Sequence, residues 1–165
     1  MRVGAVVSVF LILTAHAVVL IPNVALGDGN TWSGWKDAGP RIGKELEACG
    51  GLDRCFLFSN GYKSASLLKF HLPGQPDTYA ENVYGRPALQ FDYWPLPAQL
   101  HGKDALYVIT DRHEYRDDLE YVRQYFADVT LEATYDYYAL WGQRVRRIQV
   151  YRATDYRGPP PIAGQ

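Results

Sequence analysis

The chain opens with an apolar segment that differs from everything after it. A run of about 18 uncharged, mostly apolar residues, Val3 to Leu20, follows a single basic residue, Arg2. An α-helix needs ~20 such residues to cross a bilayer. The run exceeds the ~7–15 apolar residues of an ordinary signal-peptide core, which favours a retained transmembrane helix. The alternative is a cleaved secretory signal, with Ala25-Leu26-Gly27 as the cut site.

Both alternatives send the rest of the chain to the same side of the membrane. Arg2 is the one charge before the run, and the positive-inside bias keeps that end in the cytoplasm. We therefore expect a single-pass protein of the inner (plasma) membrane whose soluble domain lies in the periplasm or exoplasmic space. Trp32 and Trp35 follow closely, and tryptophan favours the membrane–water boundary.

The remainder shows alternating helical and extended patterns. Apolar residues recur at helical spacing in three segments, which we predict as helices: Trp35 to Leu46, ended by Gly50-Gly51; Ala65 to Phe70, ended by Pro73-Gly74; and Leu119 to Phe126. Short apolar or alternating runs predict five strands: Cys55–Ser59, Asp77–Glu81, Ala105–Thr110, Val129–Thr134 and Val145–Tyr151.

This order of elements predicts one layered α/β domain with a mixed sheet. The last two strands flank Trp141-Gly142-Gln143, so we expect them to pair as a C-terminal antiparallel hairpin. The predicted organisation is an anchor over residues 1–27, a domain over 28–157 and a flexible proline-rich tail over 158–165.

Composition narrows the function classes. The formal net charge of −1 gives no indication of a nucleic-acid partner, and 47% hydrophobic with 21% charged residues argues against disorder. Cys49 and Cys55 are the only cysteines, and no histidine or further cysteine stands at metal-ligand spacing. They form either a disulfide, which an exoplasmic compartment permits, or two small buried apolar residues. No metal or other cofactor is predicted.

One acidic cluster follows the third predicted strand. It contains Asp111, His113, Glu114, Asp117 and Asp118. Ligands of open α/β sheets bind beyond the carboxyl ends of strands, so a metal site or a general base is conceivable there. The competing interpretation, which we favour, is a solvated helix start where acidic residues suit the helix dipole. The Gly-x-Ser-x-Gly pattern of nucleophilic hydrolases is absent from the sequence.

Four motifs carry a family resemblance. They are Gly34-Trp35 after the apolar run, Phe70-His71-Leu72-Pro73-Gly74-Gln75-Pro76, Gln90-Phe91-Asp92-Tyr93-Trp94 and Gly102-Lys103-Asp104-Ala105-Leu106-Tyr107-Val108. In order and spacing they resemble the C-terminal, non-cytoplasmic end of bacterial glycosyltransferase family 39, the dolichyl-phosphate-mannose–protein mannosyltransferase-like and aminoarabinose-transferase-like membrane enzymes. His71 and Phe91 replace tyrosines of the family pattern.

The resemblance implies a polyprenyl-phosphate-sugar-dependent enzyme, but only part of one. The catalytic acidic residues of that family lie in an early exoplasmic loop, and the lipid donor needs a groove between several membrane helices. We therefore expect this chain to be a C-terminal exoplasmic domain that is not catalytic alone and packs against other transmembrane helices. The alternative is a standalone membrane-tethered module that binds glycan or protein.

The resemblance also names candidate contacts to a glycan or lipid-linked sugar. Gln90, Asp92 and Trp94 belong to the third motif, where an aromatic face and polar groups suit a sugar. Lys69 and His71 lie near the end of a predicted helix, where they could meet a phosphate or a lipid head group, although solvent exposure is the simpler interpretation.

Overall fold

The N-terminal segment forms a separate helix. A computed structural model describes residues 2–20, 23, 31–111 and 118–158, and its first helix, α1, spans Arg2–Leu20. Every α1 side chain from Val3 to His16 is exposed. Among the described residues, no helix is found with the length and apolar character that crossing a membrane requires. The predicted cut site and the proline-rich tail beyond Gly158 lie outside the described residues.

A five-stranded mixed sheet organises the domain, as predicted. Its strands are β1 (Cys55–Ser59), β2 (Thr78–Tyr79), β3 (Asp104–Thr110), β4 (Asp128–Tyr138) and β5 (Arg144–Thr154), in the spatial order β2-β1-β3-β5-β4. β1 is parallel to both β2 and β3, whereas β5 is antiparallel to β3 and β4. The predicted C-terminal hairpin of β4 and β5 is therefore confirmed.

Helices cover the sheet and connect its strands. They are α2 (Trp35–Ala48), α3 (Gly51–Arg54), α4 (Tyr62–His71) and α5 (Leu119–Val122), with 3₁₀ turns at Glu81–Tyr84, Leu89–Tyr93 and Ala98–Leu100. α2 runs through Pro40 without interruption. It packs closely on α4 because Gly39 has no side chain: a Cβ there would lie 2.1 Å from the His71 carbonyl oxygen.

The apolar core lies on both faces of the sheet. On one face, α2 and α4 bury Trp35, Ile42 and Leu68 against the strands. Trp35 is 1% exposed, so its assignment to a membrane boundary is wrong and it belongs to the core. On the other face, rings including Phe58 and Phe126, stacked with centroids 5.6 Å apart, fill the space under α5 and the 3₁₀ turns.

Several predicted elements are shorter than their patterns suggest. β2 stops at Tyr79 because the Asn82 side chain accepts the Ala80 N–H at 3.2 Å and a 3₁₀ turn begins. α5 ends at Val122, and the Ala127 N–H already bonds to Thr154 of the sheet. Burial of Phe126 thus comes from a turn, although its spacing matches a helix.

The two cysteines are joined as a disulfide. Cys49 closes α2, Cys55 opens β1, and their Cα atoms are 6.0 Å apart. The segment between them contains the one-turn helix α3. Gly50 and Gly51 both take positive φ, which lets the chain reverse from α2 into α3 at little steric cost.

Candidate binding pocket along helix α4

A pocket of about 950 Å³ lies between α4, the short edge strand β2 and the segment that follows β2. This volume is in the range of small-molecule sites. Its lining residues are mainly aromatic and uncharged polar: Tyr62, Ser66, Lys69, Phe70, Gln75, Asp77, Thr78, Tyr79, Asn82, Gln90, Phe91, Trp94, Pro95 and Pro97. We refer to it as the α4 pocket.

Helix α4 supplies one wall through its outward face. Tyr62, Ser66 and Phe70 recur every four positions and Lys69 follows Ser66 by three, so these residues share one side of the helix, while Ala65 and Leu68 are buried against the core. Phe70 continues the apolar pattern of this helix in the sequence, yet its ring is 67% exposed at the pocket. The exposed face of α4 therefore carries aromatic and polar side chains suited to ligand contact, with the Tyr62 ring near one end and the Phe70 ring near the other.

The edge strand β2 forms the floor and is fastened to α4. The Thr78 hydroxyl donates to the Ala65 carbonyl at 2.8 Å, and Lys69 Nζ lies 2.6 Å from an Asp77 carboxylate oxygen. Of the described lining residues, Asp77 alone carries a carboxylate, and Lys69 already neutralises it. Burial, and secondarily Asp77, raises the pKa of Tyr79, so its hydroxyl stays a neutral hydrogen-bond donor near pH 7.

The opposite wall is the 3₁₀ turn Leu89–Tyr93 and the residues after it. Asn82 Nδ2 donates to the Phe91 carbonyl at 3.0 Å and ties this turn to β2. The Phe91 and Trp94 rings meet edge to face, with centroids 5.6 Å apart. Trp94 remains 62% exposed, so a broad apolar surface with a polar N–H borders the pocket.

Asp92 fixes the backbone of this wall without lining the pocket itself. Its carboxylate accepts the Ala88 N–H at 2.8 Å, which closes the turn in which Leu89 takes a positive φ of 54°. A left-handed conformation costs roughly 1–2 kcal/mol for a residue other than glycine. The charged hydrogen bond of Asp92 offsets that cost and fixes the positions of Gln90 and Phe91.

The structure brings together three of the five predicted contact residues. Lys69, Gln90 and Trp94 line the α4 pocket. Asp92 closes the turn instead, and His71 lies at the end of α4, with its ring against Phe70 at 5.0 Å and its backbone against α2. Partial burial lowers the pKa of His71, which keeps the ring neutral near pH 7 and makes it a poor partner for phosphate there.

Behind the pocket lies a compact charged network. Asp118 is 3% exposed and accepts hydrogen bonds from the Tyr84 hydroxyl at 3.1 Å and from Arg86 at 2.8 Å. The Arg86 guanidinium also covers the Tyr121 ring at 4.2 Å. The expectation of a solvated helix start is therefore wrong for Asp118, which is a buried structural acceptor.

Glu81 is the titrating member of this region. Burial raises the pKa of Glu81 to about 7, with the neighbouring Asp118 and Asp92 acting in the same direction and Arg86 against it. Glu81 immediately precedes Asn82, whose side chain holds the pocket wall.

The other members of the acidic cluster do not form a site in the described structure. Asp111 pairs with Arg144 at 3.7 Å, and His113, Glu114 and Asp117 lie outside the described residues. In the ranges that the structure defines, no group of three or more His, Cys, Asp or Glu side chains could hold a metal ion.

The sequence patterns did not predict most of the residues that line the pocket. Tyr62 and Ser66 carry no motif, and Asp77 and Thr78 were assigned to a strand without a role. The available signal was periodicity: the spacing of Tyr62, Ser66 and Phe70 places them on the face opposite the buried residues of α4.

Comparison with known proteins adds no relative. No protein family, curated protein or solved structure matches this chain.

Proposed function

We propose that this chain is the exoplasmic C-terminal domain of a polyprenyl-phosphate-sugar-dependent membrane glycosyltransferase, and that it binds the sugar portion of a ligand in the α4 pocket without catalysing transfer itself. The observation that carries the proposal is the convergence of Lys69, Gln90 and Trp94 in one pocket. The family resemblance suggested Gln90 and Trp94 as contacts, and the position of Lys69 near the end of a predicted helix suggested that residue separately.

The chemistry of the lining suits a sugar. Carbohydrates offer apolar ring faces together with many hydroxyl groups. The pocket offers the rings of Tyr62, Phe91 and Trp94 for stacking and the amides of Gln75 and Gln90 for hydrogen bonds. Its described carboxylate is already paired with Lys69, which leaves no free acid–base couple among the described lining residues. Binding is therefore the activity that we assign to it.

The N-terminal helix supports a membrane location. The described part of α1 carries apolar side chains on all its faces, and they are exposed, including Val3, Phe10 and Leu13. Such a helix requires an apolar environment. Its polar groups are satisfied within the helix: Thr14 donates to the Phe10 carbonyl at 2.8 Å, and His16 Nδ1 lies 2.8 Å from the Ile12 carbonyl. A retained anchor and a cleaved signal both remain compatible with this, and the mass of the mature protein distinguishes them.

Binding to the α4 pocket is tested with the full chain in detergent micelles. Titration with a short-chain polyprenyl-phosphate hexose should quench or shift tryptophan fluorescence. Trp94→Ala should weaken binding about 5- to 10-fold, because a stacked aromatic pair contributes roughly 0.5–1.5 kcal/mol beyond its buried area. Tyr93→Ala is the matched control, since Tyr93 is 85% exposed but lies outside the pocket.

The outcomes separate the alternatives. Equal weakening by both variants, or no binding of the wild-type chain, would contradict the assignment of the pocket. Equal affinity for a soluble glycan without the lipid phosphate would favour a standalone glycan-binding module. That second candidate has one observation in its favour: this chain supplies both walls and the floor of the pocket. Sugar transfer by the isolated chain would overturn the non-catalytic part of the proposal.

A further inference from the structure

The β4–β5 hairpin ends in an exposed apolar tip. The connection from Ala139 to Gln143 is closed by two backbone hydrogen bonds, Ala139 N–H to Gln143 at 2.8 Å and Gly142 N–H to Ala139 at 2.9 Å. Within this rigid turn, Leu140 is 75% and Trp141 60% exposed, and the neighbouring Tyr138 is also exposed. We call Tyr138, Leu140 and Trp141 the hairpin tip.

The hairpin tip lies at the end of the domain where the chain arrives from α1. The Ser33 carbonyl accepts a hydrogen bond from buried Arg146 at 2.6 Å, and Gly34 approaches the Tyr137 ring so closely that a Cβ there would lie 3.1 Å from it. The Gly34 N–H in turn donates to the Asn23 side chain at 2.8 Å, three residues after α1 ends. Exposed Trp32 belongs to the same end.

The sheet register shows that this end of the domain is the one where the parallel strands have their carboxyl ends, which we call the carboxyl edge of the sheet. β3 ends at Thr110, opposite Ile148 of β5, so the hairpin continues past the carboxyl end of β3 from Arg147 to the tip. β1 is parallel to β3 and ends at the same edge. α4 begins three residues after β1, so Tyr62 places one end of the α4 pocket at this edge too.

The surface chemistry at the hairpin tip is apolar with neutralised charges. Arg147 makes two hydrogen bonds of 2.8 Å to Asp136, and Arg144 lies between Asp111 and Asp136 at 3.7 and 3.8 Å. Arg144 and Arg147 are therefore already paired with carboxylates. A partner of this surface is recognised by apolar and aromatic contact, and added salt should change its affinity little.

We propose that the hairpin tip, together with Trp32, inserts into the head-group region of the bilayer that holds α1. The inference rests on the membrane tether of the proposed function. Tyrosine and tryptophan favour that region because their rings have an apolar body and a polar edge. With two attachments, the anchor and the tip, the carboxyl edge of the sheet faces the membrane, and the α4 pocket opens toward it at Tyr62. The pocket then takes the head group of a ligand whose lipid tail stays in the bilayer.

The test uses the full chain with phosphatidylcholine vesicles that contain a lipid brominated at the end of its acyl chain nearest the head group, which quenches only tryptophans inserted at the membrane–water boundary. Flotation of the vesicles first measures the tether. We expect quenching of the wild-type chain, a loss of about a third to a half of it in Trp141→Phe, and no loss in Trp94→Phe, whose site is 62% exposed but lies in the pocket. Circular dichroism checks that both variants are folded.

Each outcome is decisive. A chain that does not float with the vesicles overturns both the tether and the membrane-facing tip. A chain that floats but is quenched equally in wild type and Trp141→Phe overturns the tip alone. Quenching that is strong at one chain per thousand lipids and unchanged at higher density supports lipid contact. Quenching that disappears at higher density would show that a second copy of the chain covers the tip, and the proposal would fail. Quenching that depends on anionic lipid would also contradict it.

Discussion

At the scale of single residues, the side chains that touch the pocket differ from those that hold it in shape. Gln90 and Trp94 face the cavity, whereas Asp92, between them in the sequence, closes the turn that presents them. The third motif suggested a contact at Gln90, Asp92 and Trp94 alike, but it mixes two roles that only the backbone conformation separates.

Glu81 makes stability depend on pH. The pKa of this carboxyl rises from its ordinary 4.5 to about 7 in the folded chain. Between these values the folded state binds more protons than the unfolded state, so the free energy of unfolding should fall as pH rises from about 4.5 to 7. Glu81→Gln should remove this slope and be more stable than wild type at pH 8. Urea denaturation at pH 4.5 and pH 8 measures both; a wild-type chain that gains stability from Glu81 ionisation would contradict the assignment.

The sequence identified part of the candidate site for a physical reason. Gln90 and Trp94 stand in a recognisable local motif, so they could be named without a structure. Asp77 enters the pocket only because β2 pairs with β1 and the Thr78 hydroxyl fastens β2 to α4. Such a contact depends on tertiary packing and leaves no mark on local periodicity.

At the scale of elements, alternating and continuous apolar patterns predict the strands of the sheet but not the conformation of the segments that connect them. β1 and β3 are buried along nearly their whole length and β4 alternates, so their patterns are distinct. The 3₁₀ turn Leu89–Tyr93 contains a leucine with positive φ, and no propensity scale predicts that for a branched apolar residue. The predicted helix from Leu119 to Phe126 is too long, because Phe126 keeps the helical spacing although α5 ends at Val122.

The disulfide fastens the end of α2 to the start of the central parallel strand. With a sequence separation of 6, the chain-entropy relation gives a stabilisation of about 2 kcal/mol. Reduction with dithiothreitol should therefore lower the free energy of unfolding of the wild-type chain by about that amount. The double variant Cys49→Ala, Cys55→Ala should be less stable from the outset and insensitive to the reductant. If both proteins respond equally to dithiothreitol, the effect lies elsewhere.

At the scale of the whole molecule, three features lie at one edge of the sheet. The chain enters from α1 there, the hairpin tip projects from it, and the α4 pocket begins at it with Tyr62. Parallel strands direct their carboxyl ends, and hence their following loops, to one side. The topology therefore places the proposed attachment and the proposed binding site on the same side of the sheet.

The β-bulge in β4 affects how readily neighbouring copies of the chain can pair along this strand. β4 is an eleven-residue outer strand, and Glu132 is an extra residue in its pairing with β5, between Leu131 opposite Tyr151 and Ala133 opposite Val150. A bulge twists a strand and interrupts its row of backbone groups, which discourages another chain from adding to that edge. Chains confined to a two-dimensional surface meet far more often than chains in free solution. Deletion of Glu132 should therefore produce vesicle-bound oligomers, detectable by cross-linking. Glu132→Ala, which keeps the bulge, should remain monomeric. Oligomers from both variants would show that charge, rather than strand shape, keeps neighbouring copies apart.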